Sequence, residues 1–200
     1  MLYDISADML KAKVYPGDPQ PRLARVQTID KDSDCNLSAL FCCLHNGTHA
    51  DAPLHFMDQG DSIDRLALEH FIGECYVLSV PPGPITGDYV ERKFPVKYRR
   101  LLIKGNGHAY FHESGAAVLA ERNMLLVGTD SNSVGISGSQ ARVHRAFLRE
   151  NIAILEGLVL SEVPDGEYFL MAQPVKIGGA EAAPVRAVLA SGHIFWNGRA

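Results

Sequence analysis

One run of eleven residues constrains this chain more than any other: His45-Asn46-Gly47-Thr48-His49-Ala50-Asp51-Ala52-Pro53-Leu54-His55. Three imidazoles and a carboxylate stand close together with only small or neutral residues between them, a donor set suited to a metal ion. The spacing can be tested against each backbone geometry. On a helix, at about 100° per residue, His45 and His49 share a face while Asp51 and His55 point away, and Pro53 disfavours a helix further. In an extended chain the odd positions His45, His49, Asp51 and His55 all face one way, and Thr48, Ala50, Ala52 and Leu54 face the other. A straight strand would still spread the four donors over roughly 30 Å at ~3.3 Å per residue, so a shared site requires bends. Gly47 and Pro53 stand where bends are easiest. Neutral imidazoles and a carboxylate suit Zn²⁺ first, then Mn²⁺ or Fe²⁺.

The 200 residues suit one domain, 1–200, with a substantial core, and 46% hydrophobic with 21% charged residues are globular values. The net charge of -4, with no long basic run, argues against a nucleic-acid partner. No segment reaches the length of a membrane span, and the first eighteen residues carry acids where a signal peptide needs a basic flank, so a soluble cytoplasmic protein is expected. Cys35, Cys42, Cys43 and Cys75 lack CxxC spacing and read as buried thiols in a reducing compartment.

Apolar patterning predicts strands over 2–6, 22–29, 40–44, 75–80, 100–104, 124–127, 152–156, 157–160, 169–171 and 185–189. Helices are predicted over 66–72, 113–121 and 138–150, and Tyr15-Pro16-Gly17-Asp18 reads as a turn. Alternating strands and helices indicate an α/β fold with a mixed β-sheet and flanking helices. His108 and His112 lack acidic neighbours at ligand spacing and read as loop histidines. Asp130 closes an apolar strand and is equally compatible with a structural hydrogen-bonding role and a catalytic one. Glu156 ends the apolar run Ile152-Ala153-Ile154-Leu155, so it must be exposed, protonated, or bound to a cation.

The run 45–55 resembles the His-x-Gly-Thr-His-x-Asp-x-Pro-x-His signature of the cyclase superfamily, whose best-defined members are bacterial kynurenine formamidases (arylformamidases), and the likeness extends over about residues 3–189. The resemblance implies a swivelling β/β/α fold. It also implies that His144 and Glu156, twelve residues apart with Ile154-Leu155-Glu156-Gly157 as context, join the site. Five donors, His45, His49, Asp51, His144 and Glu156, exceed what one tetrahedral catalytic zinc needs, and two cations per chain are the economical reading, Zn²⁺ or else Mn²⁺. By similarity Asp51 and Glu156 bridge, His45 and His49 complete one metal, and His144 the other. His55 then has no required metal partner, and an unperturbed pKa near 6.5 suits it to acid/base work, or else to orienting Asp51.

The substrate that the resemblance implies is N-formyl-L-kynurenine, hydrolysed to L-kynurenine and formate in tryptophan degradation. Tyr15 either packs beside its turn or forms an aromatic wall of the substrate pocket, where these formamidases usually carry Trp. Proteins similar to isatin hydrolase use nearly the same signature to open a cyclic amide, which gives a second enzymatic reading. A metal-stabilised domain without catalysis is a third, opposed by the presence of His55. The resemblance further implies a homodimer or homotetramer, and the stretch 191–200, with Trp196, reads as an appendage expected to pack against a partner subunit.

Overall fold

The computed structural model of the protein describes residues 1–31 and 33–192. Expectations for the end of the chain from residue 193 onward, Trp196 included, lie outside the described residues. The chain begins with strands β1 (Leu2–Asp4), β2 (Arg22–Gln27), β3 (Leu37–Phe41) and β4 (His49–Asp51). After 3₁₀ turns at Pro53–His55, Ile63–Arg65 and Leu68–His70 come β5 (Ile72–Ser79), β6 (Gly83–Ile85), helix α1 (Gly87–Lys93) and β7 (Arg100–Lys104). Next follow β8 (Ala109–Phe111), α2 (Glu113–Ala120), β9 (Leu126–Thr129), α3 (Gln140–Arg149) and β10 (Ala153–Glu156). The last strands are β11 (Gly166–Met171), β12 (Ala182–Pro184) and β13 (Val188–Ala190).

Nine of these strands form one mixed sheet in the order β1-β13-β11-β5-β7-β9-β10-β4-β12. The centre, β5-β7-β9-β10, is parallel, and the flanking pairs are antiparallel. Each parallel crossover steps one strand in the same direction, and a constant crossover hand then places α1, α2 and α3 on the same face. Strands covered on both faces should be apolar throughout, and β9 and β10 are buried along their whole length. One face packs Leu101, Ile103, Val127 and Ile154 against Phe111 and Phe147 on the helical side. The other buries Leu102, Leu126 and Leu155 with Ile5, Phe71 and Leu170 beneath turns and loops. Each fully buried side chain of this size contributes roughly 1.5–3 kcal/mol. No helix among the described residues is long and apolar enough to cross a membrane.

The α/β class with a mixed sheet and flanking helices agrees with the sequence patterning, while several elements differ. The strand expected over 40–44 ends at Phe41, and turn and bend replace it through Thr48. Together with β2 it forms a separate two-stranded hairpin whose strand residues are all exposed. The helix expected over 66–72 is one 3₁₀ turn, because Ile72 already belongs to β5, whose pairing with β11 fixes it as extended. The stretch 157–160 is not a strand, since Gly157 at φ +67° turns the chain out of the sheet and only Leu158 makes an isolated bridge to Ser6. Of the strand expected over 185–189 only Val188 and Leu189 lie in a strand, β13, while Val185 makes an isolated bridge to Pro174. Of the cysteines only Cys75 is buried, its thiol pushed up to about 12 by burial; Cys35 is exposed, Cys42 and Cys43 are half-buried, and all four are free.

Candidate metal and catalytic site

The histidine run is neither a helix nor a continuous strand. Its first part turns through Gly47, whose φ of +69° is the left-handed conformation that glycine adopts at least cost. Only His49–Asp51 is strand, so His49 and Asp51 share a side as an extended chain requires, while Ala50 points into the opposite core. Pro53 then opens a 3₁₀ turn that carries His55 back over the others. The bends therefore fall at the two positions that the sequence singles out.

Register supplies the remaining donors. Antiparallel pairing of β10 with β4 sets Glu156 opposite His49 and Ile154 opposite Asp51, so the Glu156 carboxylate emerges on the histidine side. Helix α3 buries Val143, His144, Phe147 and Leu148, and its inner face delivers His144 to the same place. The turn beside the site is held by Thr48, whose Oγ1 donates to the Gly157 carbonyl at 2.6 Å and accepts from the Ala7 N–H at 2.8 Å.

The five expected donors and His55 come together. Asp51 Oδ1 lies 3.0 Å from His45 Nδ1 and 3.4 Å from His49 Nε2, while Oδ2 lies 3.6 Å from His144 Nε2. Glu156 straddles the same gap, with Oε1 3.2 Å from His144 Nε2 and Oε2 3.6 Å from His49 Nε2. Glu156 Oε1 also accepts the Val134 N–H at 2.7 Å. The donor atoms of His49, Asp51 and Glu156 lie within 4.8 Å of one another, and so do those of His45, Asp51 and His55. His55 thus stands within reach of the same centre, its ring 4.2 Å from that of His45.

These residues fit a divalent cation. His49 Nε2 and both Asp51 oxygens are buried without a hydrogen-bond partner among the described residues, an arrangement that would cost about 1–3 kcal/mol per atom if nothing satisfied it. Charge favours the ligating form of the acids. Burial would raise the Asp51 carboxyl, but His45 and His49 outweigh it and hold it well below the usual range. Glu156 is lowered in the same way, burial being outweighed by His144 and His49. Burial pulls the His49 imidazole down, yet Asp51 and Glu156 together raise it well above its usual value, and His144 is raised against burial by Glu156 and Asp51. His55 differs: burial lowers it, with His45 and His144 adding to the effect and Asp51 and Glu156 only partly opposing it.

A cavity of about 320 Å³ opens onto this cluster, lined by Tyr15, Asp18, Phe56, Asn132 and Gln140 among others. Tyr15 follows neither of its readings alone: it precedes its turn, with the Asp18 N–H bonded to its carbonyl at 3.0 Å, and it also lines the cavity, its hydroxyl accepting from Gln140 Nε2. Asp130 serves the backbone, accepting N–H groups of Gly105, Asn106 and Gly107 at 2.8–3.2 Å. His112 caps α2 by accepting from the Ser114 N–H, and neither it nor His108 belongs to a metal-competent group among the described residues. Two participants escape sequence reasoning. Phe56, one residue past the run, stacks its ring against His55 and His144 at 4.3 and 4.6 Å. Glu181 reaches His45 Nε2 at 3.4 Å from the bend just before β12, with no local pattern to announce it.

Comparison with known proteins agrees with this geometry. A model of the cyclase family matches residues 3–135. A kynurenine formamidase of Paracidovorax citrulli is 36% identical, over 94% of this chain and 96% of that one. Among solved structures, one described as a "predicted metal-dependent hydrolase" from Bacillus stearothermophilus is 27% identical with a TM-score of 0.82, covering 94% of this chain and 97% of that one. Isatin hydrolase A from Labrenzia aggregata shares the fold at a TM-score of 0.82 with 18% identity, covering 94% and 93% respectively.

Proposed function

The chain belongs to the cyclase family, and from that premise we propose that it is a metal-dependent hydrolase of aryl formamides that cleaves N-formyl-L-kynurenine to L-kynurenine and formate. The observation that carries this reading is the meeting of His45, His49, Asp51, His144 and Glu156 around unsatisfied buried atoms, with His55 beside them at the mouth of a cavity. The donor chemistry favours two Zn²⁺ per chain, with Mn²⁺ as the other candidate. When bound, a divalent cation there supplies Lewis acidity, polarising a carbonyl and acidifying a water.

The residues of the chain do the rest. Water adds to the formyl carbon, the carbon–nitrogen bond breaks, formate leaves, and the anilide nitrogen takes a proton. His55, kept neutral by burial, can accept a proton from the attacking water at its free nitrogen and pass it to that nitrogen. Anilide nitrogen leaves more readily than an alkyl amine because its lone pair is delocalised. The Tyr15 ring, fixed through its hydroxyl by Gln140, and the Phe56 ring offer flat apolar walls for an aryl group. The family and the exposed apolar side chains of the β2–β3 hairpin support assembly as a homodimer or homotetramer.

A turnover screen of protein loaded with Zn²⁺ or Mn²⁺ tests the reading, with N-formylkynurenine set against isatin and other cyclic amides. Formamide cleavage at least tenfold faster than ring opening is expected. Preference for the cyclic amides would move the substrate to the ring-opening class, and metal binding without any amide turnover would make this a structural metal domain.

A further inference from the structure

Three imidazoles at the site, the buried His49 and His144 and the half-buried His45, each use one nitrogen to face the carboxylate pair and the other to meet a separate acceptor. His49 turns Nε2 towards Asp51 and Glu156, and its Nδ1 contacts the Gly47 carbonyl at 3.1 Å. His144 turns Nε2 the same way, and its Nδ1 contacts the Gln140 carbonyl at 2.9 Å. Because a carbonyl only accepts, each Nδ1 carries a hydrogen, and the neutral ring, the form that binds a cation, presents its Nε2 lone pair to the site. His45 is the reverse: its Nδ1 faces Asp51 at 3.0 Å, and its Nε2 meets a side-chain carboxylate, Glu181 Oε1, at 3.4 Å.

We propose that Glu181 is a positioning residue that holds His45 in the tautomer and ring orientation presenting its Nδ1 lone pair to the metal site, as Gly47 and Gln140 do for the other two imidazoles; this rests on the metal-dependent reading above. The carboxylate is brought there by strand register. Pairing of β12 with β4 sets Ala182 opposite Asp51, so Glu181 falls one step beyond, where its own carbonyl accepts the Ala52 N–H at 2.9 Å. The backbone of Glu181 is therefore anchored independently of its side chain, which is 41% exposed. An acceptor behind a ligating imidazole fixes its ring, and removal of such a partner commonly costs 10–100-fold in metal affinity.

Zn²⁺ titrated into metal-free protein by calorimetry, with the thermal midpoint of the metal-free form measured alongside, tests the assignment. Glu181→Ala is expected to weaken the binding event that uses His45 by about 10–100-fold, leave binding at the remaining donors unchanged, and leave the metal-free midpoint unchanged. Glu181→Gln keeps an acceptor oxygen at the same reach and is expected to bind within a few fold of wild type. Wild-type affinity in Glu181→Ala would overturn the proposal, and so would equal loss in both variants, which would make the carboxylate a direct ligand. Wild-type protein that takes up no Zn²⁺ would overturn the metal-dependent reading itself, a result distinct from the other two.

Discussion

His55 and His144 show how one residue type takes different roles by surroundings alone. His144 is pressed between two carboxylates that raise its pKa, whereas burial dominates at His55 and lowers it below the ordinary 6.5. A base must be neutral to act, so a lowered pKa means that His55 remains competent as pH falls through 6.5. The acidic limb of kcat/KM is accordingly expected below pH 6.5, and a limb centred above 7 would contradict the assignment. Replacing His55 with Ala should leave metal content intact while lowering kcat by about 10²–10⁴-fold, read by elemental analysis beside steady-state rates. Unchanged turnover in that variant removes His55 from the chemistry. At this scale much of the site was legible, because His45, His49, Asp51 and His55 lie within eleven residues and their chemistry shows in their types. His144 and Glu156 became legible only through the family resemblance, and Glu181 not at all, since a half-exposed carboxylate before a three-residue strand has no pattern of its own.

Among the elements, the turn at Gly47 and the one at Gly157 act as a unit. Both glycines adopt positive φ, and a Cβ placed on Gly157 would sit 2.4 Å from the Gly47 carbonyl oxygen. These turns carry the chain into His49 and out of Glu156, the pair that register sets side by side. Gly157→Ala is therefore expected to cost more than the roughly 1–2 kcal/mol of a left-handed alanine alone, because backbone must also move. Urea unfolding of the metal-free variant measures this, and a midpoint equal to that of wild type would contradict the close approach. The same elements explain where patterning misled. Apolar residues over 40–44 predict a strand running up to His45, yet β3 ends at Phe41 and belongs to the exposed hairpin, where Leu40 and Phe41 are 51% and 55% exposed. The stretch 66–72 has helical composition, but Arg100 donates to the carbonyls of Glu69, His70 and Glu74 and, with the β5–β11 pairing, holds that segment to a single turn. Long-range partners of this kind override local propensity and leave no trace in a short window.

For the molecule as a whole, the α/β class with a mixed sheet was readable because β7, β9 and β10 are nearly continuous apolar runs alternating with helices. The sheet order and the added strands β4 and β12 were not, since strands of three residues carry too little pattern to detect. An isolated two-stranded hairpin with both faces in water is marginally stable, which is the physical reason to expect that β2–β3 is covered in an assembly. Light scattering should give a mass of two or four chains, and Leu40→Glu with Phe41→Glu should shift it towards the monomer; a monomeric wild type would contradict the assembly. The central claim is that donors from β4, α3 and β10 hold cations together through Asp51, the residue whose two oxygens face both halves of the site. Elemental analysis of wild type and Asp51→Asn, purified side by side, tests it most directly. Close to two transition-metal equivalents per chain in the first and close to none in the second is the predicted result, and full metal content in Asp51→Asn would contradict it.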